Sequence, residues 1–184
     1  MLTAPKRLKI PMARLLLSTA LVVSVAGWSF GVQSSELIQL RKTSTKSSMM
    51  DRDRELQELR ERIHLSINEY RAAHSLPPLS LNAEINHQAQ IHSQNMARQV
   101  VRFSHQGFEG RIKALENRLV YRSAAENVAF NQGYQDPAEA AIAGWIKSKT
   151  HQPNIVGNFD LTGIGVAKNQ RGEYYFTQIF IKEQ

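Results

Sequence analysis

Two imidazoles and one carboxylate in the C-terminal half of this 184-residue chain are the groups best suited to chemistry. His105 stands in Ser104-His105-Gln106-Gly107-Phe108. Glu126 stands in Ala125-Glu126-Asn127-Val128. His151 closes Gly144-Trp145-Ile146-Lys147-Ser148-Lys149-Thr150-His151. Each lies beside a turn or an element end, where functional groups concentrate. Brought into one cleft, the three could hold a divalent ion such as zinc on His105 and His151, or transfer a proton. The competing reading is a hydrogen-bonded cluster that ties loop ends to a sheet. His92 falls on an apolar helical stripe, which makes it a core or supporting histidine rather than a ligand. His64, His74 and His87 lie off the apolar stripes and read as solvated surface. Ser104 and Ser148 sit near histidines, but no strained Gly-x-Ser-x-Gly elbow presents either as a nucleophile.

Positioning such groups requires helices and strands that the sequence marks. Leu56, Leu59, Ile63, Ile67 and Tyr70 recur at spacings of three and four, which predicts a helix from Asp51 to about Ala73. Glu58 and Arg62 would form an i, i+4 pair on it. Leu76-Pro77-Pro78-Leu79 stops it. A second helix starts at the N-cap Asn82 and carries Ile85, Ala89, His92 and Met96 on one face. A third starts at Asp136-Pro137 with Glu139 in a capping-box position, and buries Ala138, Ala141, Ile142 and Trp145. The stretches 161–167 and 173–181 are β-branched and aromatic around the turn Lys168–Gly172, which predicts an antiparallel hairpin. A strand around 123–130 would make a third. Helices before and between strands give an α+β fold.

The order of these motifs resembles the CAP superfamily: cysteine-rich secretory proteins, antigen 5 and pathogenesis-related 1 proteins, or SCP domains. The resemblance runs from Asn68-Glu69-Tyr70-Arg71 through Leu76–Leu79, Ala89, His92–Ala97 and the three candidate segments. It ends on Gly163-Ile164-Gly165-Val166 and Tyr174–Phe180, covering about residues 61–184. It implies a three-layer α–β–α sandwich with a central antiparallel sheet. It also implies that His105, Glu126 and His151 match the cleft histidines and one of two cleft glutamates. The second glutamate of many eukaryotic members stands three residues after the aromatic that Trp145 matches. Here that position is Ser148, a weaker ligand and no general base. The ligand-binding set is then His105, Glu126, His151 and Ser148. The short spacing from Trp145 to His151 resembles the compact bacterial branch.

Charge and cysteine content narrow the partners. The net charge of +7 is concentrated in residues 1–50, which hold seven bases and one acid. Residues 51–184 hold 16 bases and 15 acids, so nothing singles out a nucleic-acid surface there. The chain has no cysteine, which excludes disulfides and thiolate metal sites. Lys6, Arg7, Lys9 and Arg14 precede an apolar run from Leu15 to Val32, the pattern of an export signal. Ser24-Val25-Ala26 would suit cleavage. Uncleaved, the run would span about 27 Å as a helix and anchor the chain with its C-terminal domain outside. The expected organisation is a signal peptide or signal anchor over residues 1–32, a flexible linker over 33–50, and a CAP/SCP domain over 51–184.

Three functions compete for this chain. One is a non-catalytic exported binding module for an ion, small ligand, lipid or envelope partner. Another is a metal-assisted, peptidase-like hydrolase. The last is a structural envelope protein attached to the membrane through its N-terminus. The loss of the second carboxylate at Ser148 favours binding.

Overall fold

The computed structural model describes the backbone of residues 30–184 and the side chains of residues 35–184. The signal expected over residues 1–32 therefore lies, up to residue 29, outside the described residues. Among the described residues no helix is long and apolar enough to cross a membrane. Residues 42–184 form one compact unit.

Helix α1 spans Phe30–Ala73. It begins earlier than Asp51, and the expected flexible linker over 33–50 is helical instead. From Gln33 to Ser75 there is neither proline nor glycine. Once the packed turns around Leu59, Ile63 and Ile67 exist, each further residue adds a backbone bond without a new nucleation cost. The predicted Glu58–Arg62 pair does not form. Arg62 reaches Asp136 instead, which also caps a later helix.

Short β1 (Ser80–Leu81) leads into α2 (Ala83–Ala97). The Asn82 side chain accepts from the amides of Glu84 and Ile85 at 2.9 and 3.1 Å, as the sequence predicts for an N-cap. One-turn α3 (Phe108–Lys113), β2 (Tyr121–Gln132) and α4 (Pro137–Lys147) follow. α4 starts on the Asp136 cap with Pro137 in its first turn. Short α5 (Gln152–Ile155) and the hairpin β3 (Leu161–Lys168) and β4 (Glu173–Glu183) complete the chain. The sheet order is β1-β3-β4-β2. The three long strands are antiparallel, and β1 adds to the β3 edge in parallel.

Side-chain alternation along the hairpin builds the expected three layers. Ile164, Val166, Tyr174, Phe176 and Phe180 pack towards α1, α4 and α5. Ile179 and Ile181 pack towards α2 and α3. On that second face β3 offers Gly163 and Gly165, and helix α2 lies directly on them. A Cβ at Gly165 would stand 2.2 Å from the carbonyl carbon and oxygen of Ala89, and one at Gly163 would stand 2.2 Å from Ile85 C. Both obstacles are backbone, so nothing flexible can yield. Gly165→Ala should lose about 1–3 kcal/mol, the range for overpacking. A denaturant midpoint equal to that of the wild type would show that α2 can lift off β3.

The other motif residues also prove structural. Arg71 is 1% exposed and donates to the carbonyls of Pro77, Ile155, Gly157 and Phe159 at 2.8–3.3 Å. Asn68 exchanges two bonds with the backbone of Leu79. One guanidinium thus fastens the end of α1 to the loops that carry α5, where His151 begins. His64, expected on the solvated surface, is half-buried beside Asn68, and burial lowers its pKa.

Candidate functional site

The β2 strand fixes the centre of the site. Glu126 pairs with Ile179 of β4 at the backbone, and its side chain is only 2% exposed. A buried carboxylate needs a counter-charge. Arg111 of α3 supplies it with a two-pronged grip, Nε to Oε2 at 2.9 Å and Nη2 to Oε1 at 2.7 Å. The turn before α3 makes this reach possible. Gly107 adopts φ +81, and a Cβ there would stand 3.4 Å from Arg111 Nη1. That nitrogen also donates to Gln106 O at 3.0 Å.

His105 and His151 meet at this centre. His105 Nδ1 lies 3.0 Å from Glu126 Oε1. The carboxylate is acceptor to Arg111, so Nδ1–H donates to it, and the lone pair of His105 sits on Nε2. The two imidazole centroids are 6.0 Å apart at an angle of 43°. The His105 side chain is 50% exposed, so the pair opens to solvent. His151 stands at the N-cap position of α5, where its side chain makes no capping bond. Its pKa is lowered, first by burial and then by the neighbouring His105. Asn127 holds the His151 carbonyl at 3.2 Å, and Asn154 binds the Asn127 side chain at 2.8 Å.

Ser148 lines the groove beside His151 and also shapes the chain there. It ends α4, and its Oγ accepts from the amides of Thr150 and His151 at 3.4 and 3.3 Å while sharing a bond with Thr150 Oγ1 at 3.0 Å. It shapes the turn that delivers His151, and no imidazole activates its hydroxyl. His92 behaves as its stripe predicts. It is 3% exposed, donates Nε2–H to Ser104 O at 2.9 Å and accepts from Arg111 Nη1 at 3.2 Å. Burial is the first cause of its lowered pKa, so the buried ring stays neutral and pins the loop before His105.

Arg111 is the residue that sequence reasoning missed. The signal was indirect. An acid flanked by Ala125, Val128 and Ala129 in a strand pattern must find a cation, but linear spacing does not say which one.

Beside His151 runs a groove of about 630 Å³, lined by Phe103, Phe130, Tyr134, Gly144, Trp145 and Ser148 among others. Phe103, Phe130 and Tyr134 are 51%, 44% and 62% exposed, although large and apolar. Phe130 makes tilted ring contacts with Phe103 and Tyr175, with centroids at 6.2 and 5.1 Å.

The model of the CAP family, described as the cysteine-rich secretory protein family, matches residues 66–180, more than half of the sequence. The chain belongs to the CAP family. Its fold matches that of several bacterial CAP proteins. An extracellular protein containing an SCP domain from Bacillus anthracis is 26% identical with a TM-score of 0.58, over 69% of this chain and 41% of that one. A cysteine-rich secretory protein from Staphylococcus aureus gives 23% and 0.55, over 69% and 39%. An outer surface protein of Borrelia burgdorferi gives 17% and 0.60, over 69% and 94%. The chain thus spans about two fifths of the first two proteins. No curated protein sequence matches it.

Among the described residues of this CAP domain, no group of three or more His, Cys, Asp or Glu side chains is placed to hold a metal. Two imidazoles with ring centroids 6.0 Å apart would offer an ion two donors and leave its other positions open. Glu126 lies behind His105 as its orienting carboxylate rather than as a ligand, since Arg111 already occupies both of its oxygens.

Proposed function

We propose that this CAP protein is an exported, non-catalytic binding module. Its ligand lays an apolar or ring-bearing body on the Phe103–Phe130–Tyr134 groove and sets a polar end at His151 and His105. The observation that carries this reading is the exposed aromatic groove that ends on His151, whose ring lies 6.0 Å from that of His105. Exposed aromatic surface of this kind marks binding sites. Hydrolysis is disfavoured by the same geometry. Glu126 is held by a guanidinium fork and is no free base, and Ser148 is committed to its turn. Export is supported by the basic residues and apolar run at the N-terminus, and by the extracellular and outer-surface descriptions of the structurally similar bacterial proteins.

A divalent ion fits the polar end, and His105 and His151 would hold it while Glu126 steadies the His105 ring. Such an ion would supply an electron-pair acceptor for a ligand oxygen or nitrogen. Calorimetry of the full chain with zinc should show one weak site, and His105→Ala/His151→Ala should abolish it with little loss of stability, because both rings are partly open to solvent. Equal zinc affinity in the wild type and the double variant would remove the imidazole pair as the ligand set.

A further inference from the structure

A second cavity, whose lining includes neither His105 nor His151, lies at the β3–β4 turn. It has a volume of about 550 Å³ and forms where the end of α2 and the β3–β4 turn meet α1. Four cations line it: Arg52, Arg98, Lys168 and Arg171, with no carboxylate in the lining. Two of them are balanced from behind. Lys168 binds Glu55 at 2.9 Å, and Arg171 binds Glu173 at 2.6 Å. Arg98 makes no ion pair or side-chain hydrogen bond among the described residues, and Arg52 meets Glu55 only through longer-range attraction.

Arg98 is not needed by its own helix. A cation at a helix end commonly serves the terminal carbonyls. Here those carbonyls are taken by backbone amides: Gln94 by Arg98 N at 2.9 Å, Met96 by Gln99 N at 3.0 Å and Asn95 by Val100 N at 2.9 Å. Closing the helix in this way puts Gln99 at φ +60, a left-handed conformation that is strained for a non-glycine residue. The turn aims Gln99 across the cavity. Its amide oxygen, oriented to satisfy its neighbours, accepts from Arg171 Nη2 and Nη1 at 2.7 and 3.1 Å. Arg171 is thereby held at the rim between Gln99 and Glu173.

The geometry points to a phosphate-binding site in this cavity, distinct from the histidine groove. Guanidinium forks match the paired oxygens of a phosphate group, and the excess charge of Arg52 and Arg98 would be neutralised on binding. The glutamine and asparagine amides of the lining can bond the remainder of the ligand. A compact phosphate-bearing molecule suits the volume better than a polymer, because residues 51–184 as a whole carry a charge of only +1.

Titration of the full chain with inorganic pyrophosphate, and with glycerophosphoglycerol, the water-soluble headgroup of phosphatidylglycerol, would test the site and separate a free phosphate from a lipid headgroup. Either probe should bind the wild type with an affinity that falls as salt rises. Arg52→Gln/Arg98→Gln should weaken that binding at least tenfold. Both residues are exposed and unpaired, so the variant should keep its thermal midpoint. His105→Ala/His151→Ala should bind both probes unchanged. Failure of both probes to bind, equal affinity in the arginine variant, or loss of binding in the histidine variant would each overturn the assignment.

Discussion

Arg111→Ala should destabilise the protein by about 3–5 kcal/mol, the cost of stranding a buried charge whose partner has been removed. The Glu126 side chain is 2% exposed and Arg111 10%, so water cannot replace the lost fork. Three further contacts go with it: the bonds to His92 Nδ1, Gln106 O and His105 O. The loop from Ser104 to Phe108 should therefore loosen, and the His105 ring should lose its fixed orientation. Urea unfolding followed by circular dichroism measures the loss. The diagnostic variant is Arg111→Ala/Glu126→Gln. Removing the stranded charge should recover more than half of the deficit, because a neutral amide is far cheaper to bury than a carboxylate. A single variant that loses less than 1 kcal/mol, or a double variant no better than the single, would mean that Glu126 is satisfied without Arg111.

Trp145→Ala should cost a similar amount, about 3–5 kcal/mol, for a different reason. The indole is 1% exposed and belongs to the cluster joining α1, α4 and the sheet. Its Nε1–H donates to the carbonyl of Val128 at 3.0 Å. Truncation leaves a cavity and an unpaired backbone acceptor together. Trp145→Phe separates these terms. It keeps most of the apolar contact and loses the bond, so it should cost about 1–3 kcal/mol. Because Trp145 also walls the groove beside His151, the alanine variant should bind groove ligands less tightly even where it remains folded. Thermal unfolding of the three proteins orders them, and an alanine variant as stable as the wild type would place the indole outside the load of the core.

Arg111 and Trp145 differ in how visible they are in the sequence, and the difference is physical. Trp145 was legible because burial on a helix leaves a 3.6-residue period. The caps at Asn82 and Asp136 and the hairpin were legible for the same reason: each is a local rule acting over a few residues. The order of motifs carried the CAP resemblance, and with it the expectation that His105, Glu126 and His151 share a cleft. Polar patterning misled over residues 33–50, where nothing breaks the helix that the packed turns beyond began. It also misled at Arg62, which prefers a partner 74 residues away to the acid one turn behind it.

What only the tertiary structure decided are the partnerships between distant segments. A buried Glu126 demands a cation, but only folding selects Arg111 from a short helix that leaves no periodic trace. The glycines at 163 and 165 announce a close approach, yet only packing shows that the backbone of α2 makes it. The exposed aromatic groove and the cation-lined cavity come from residues scattered over α1, α2, α4 and the sheet. Such sites depend on which surfaces meet and which charges remain unpaired when they do, and neither is a property of residues near one another in sequence.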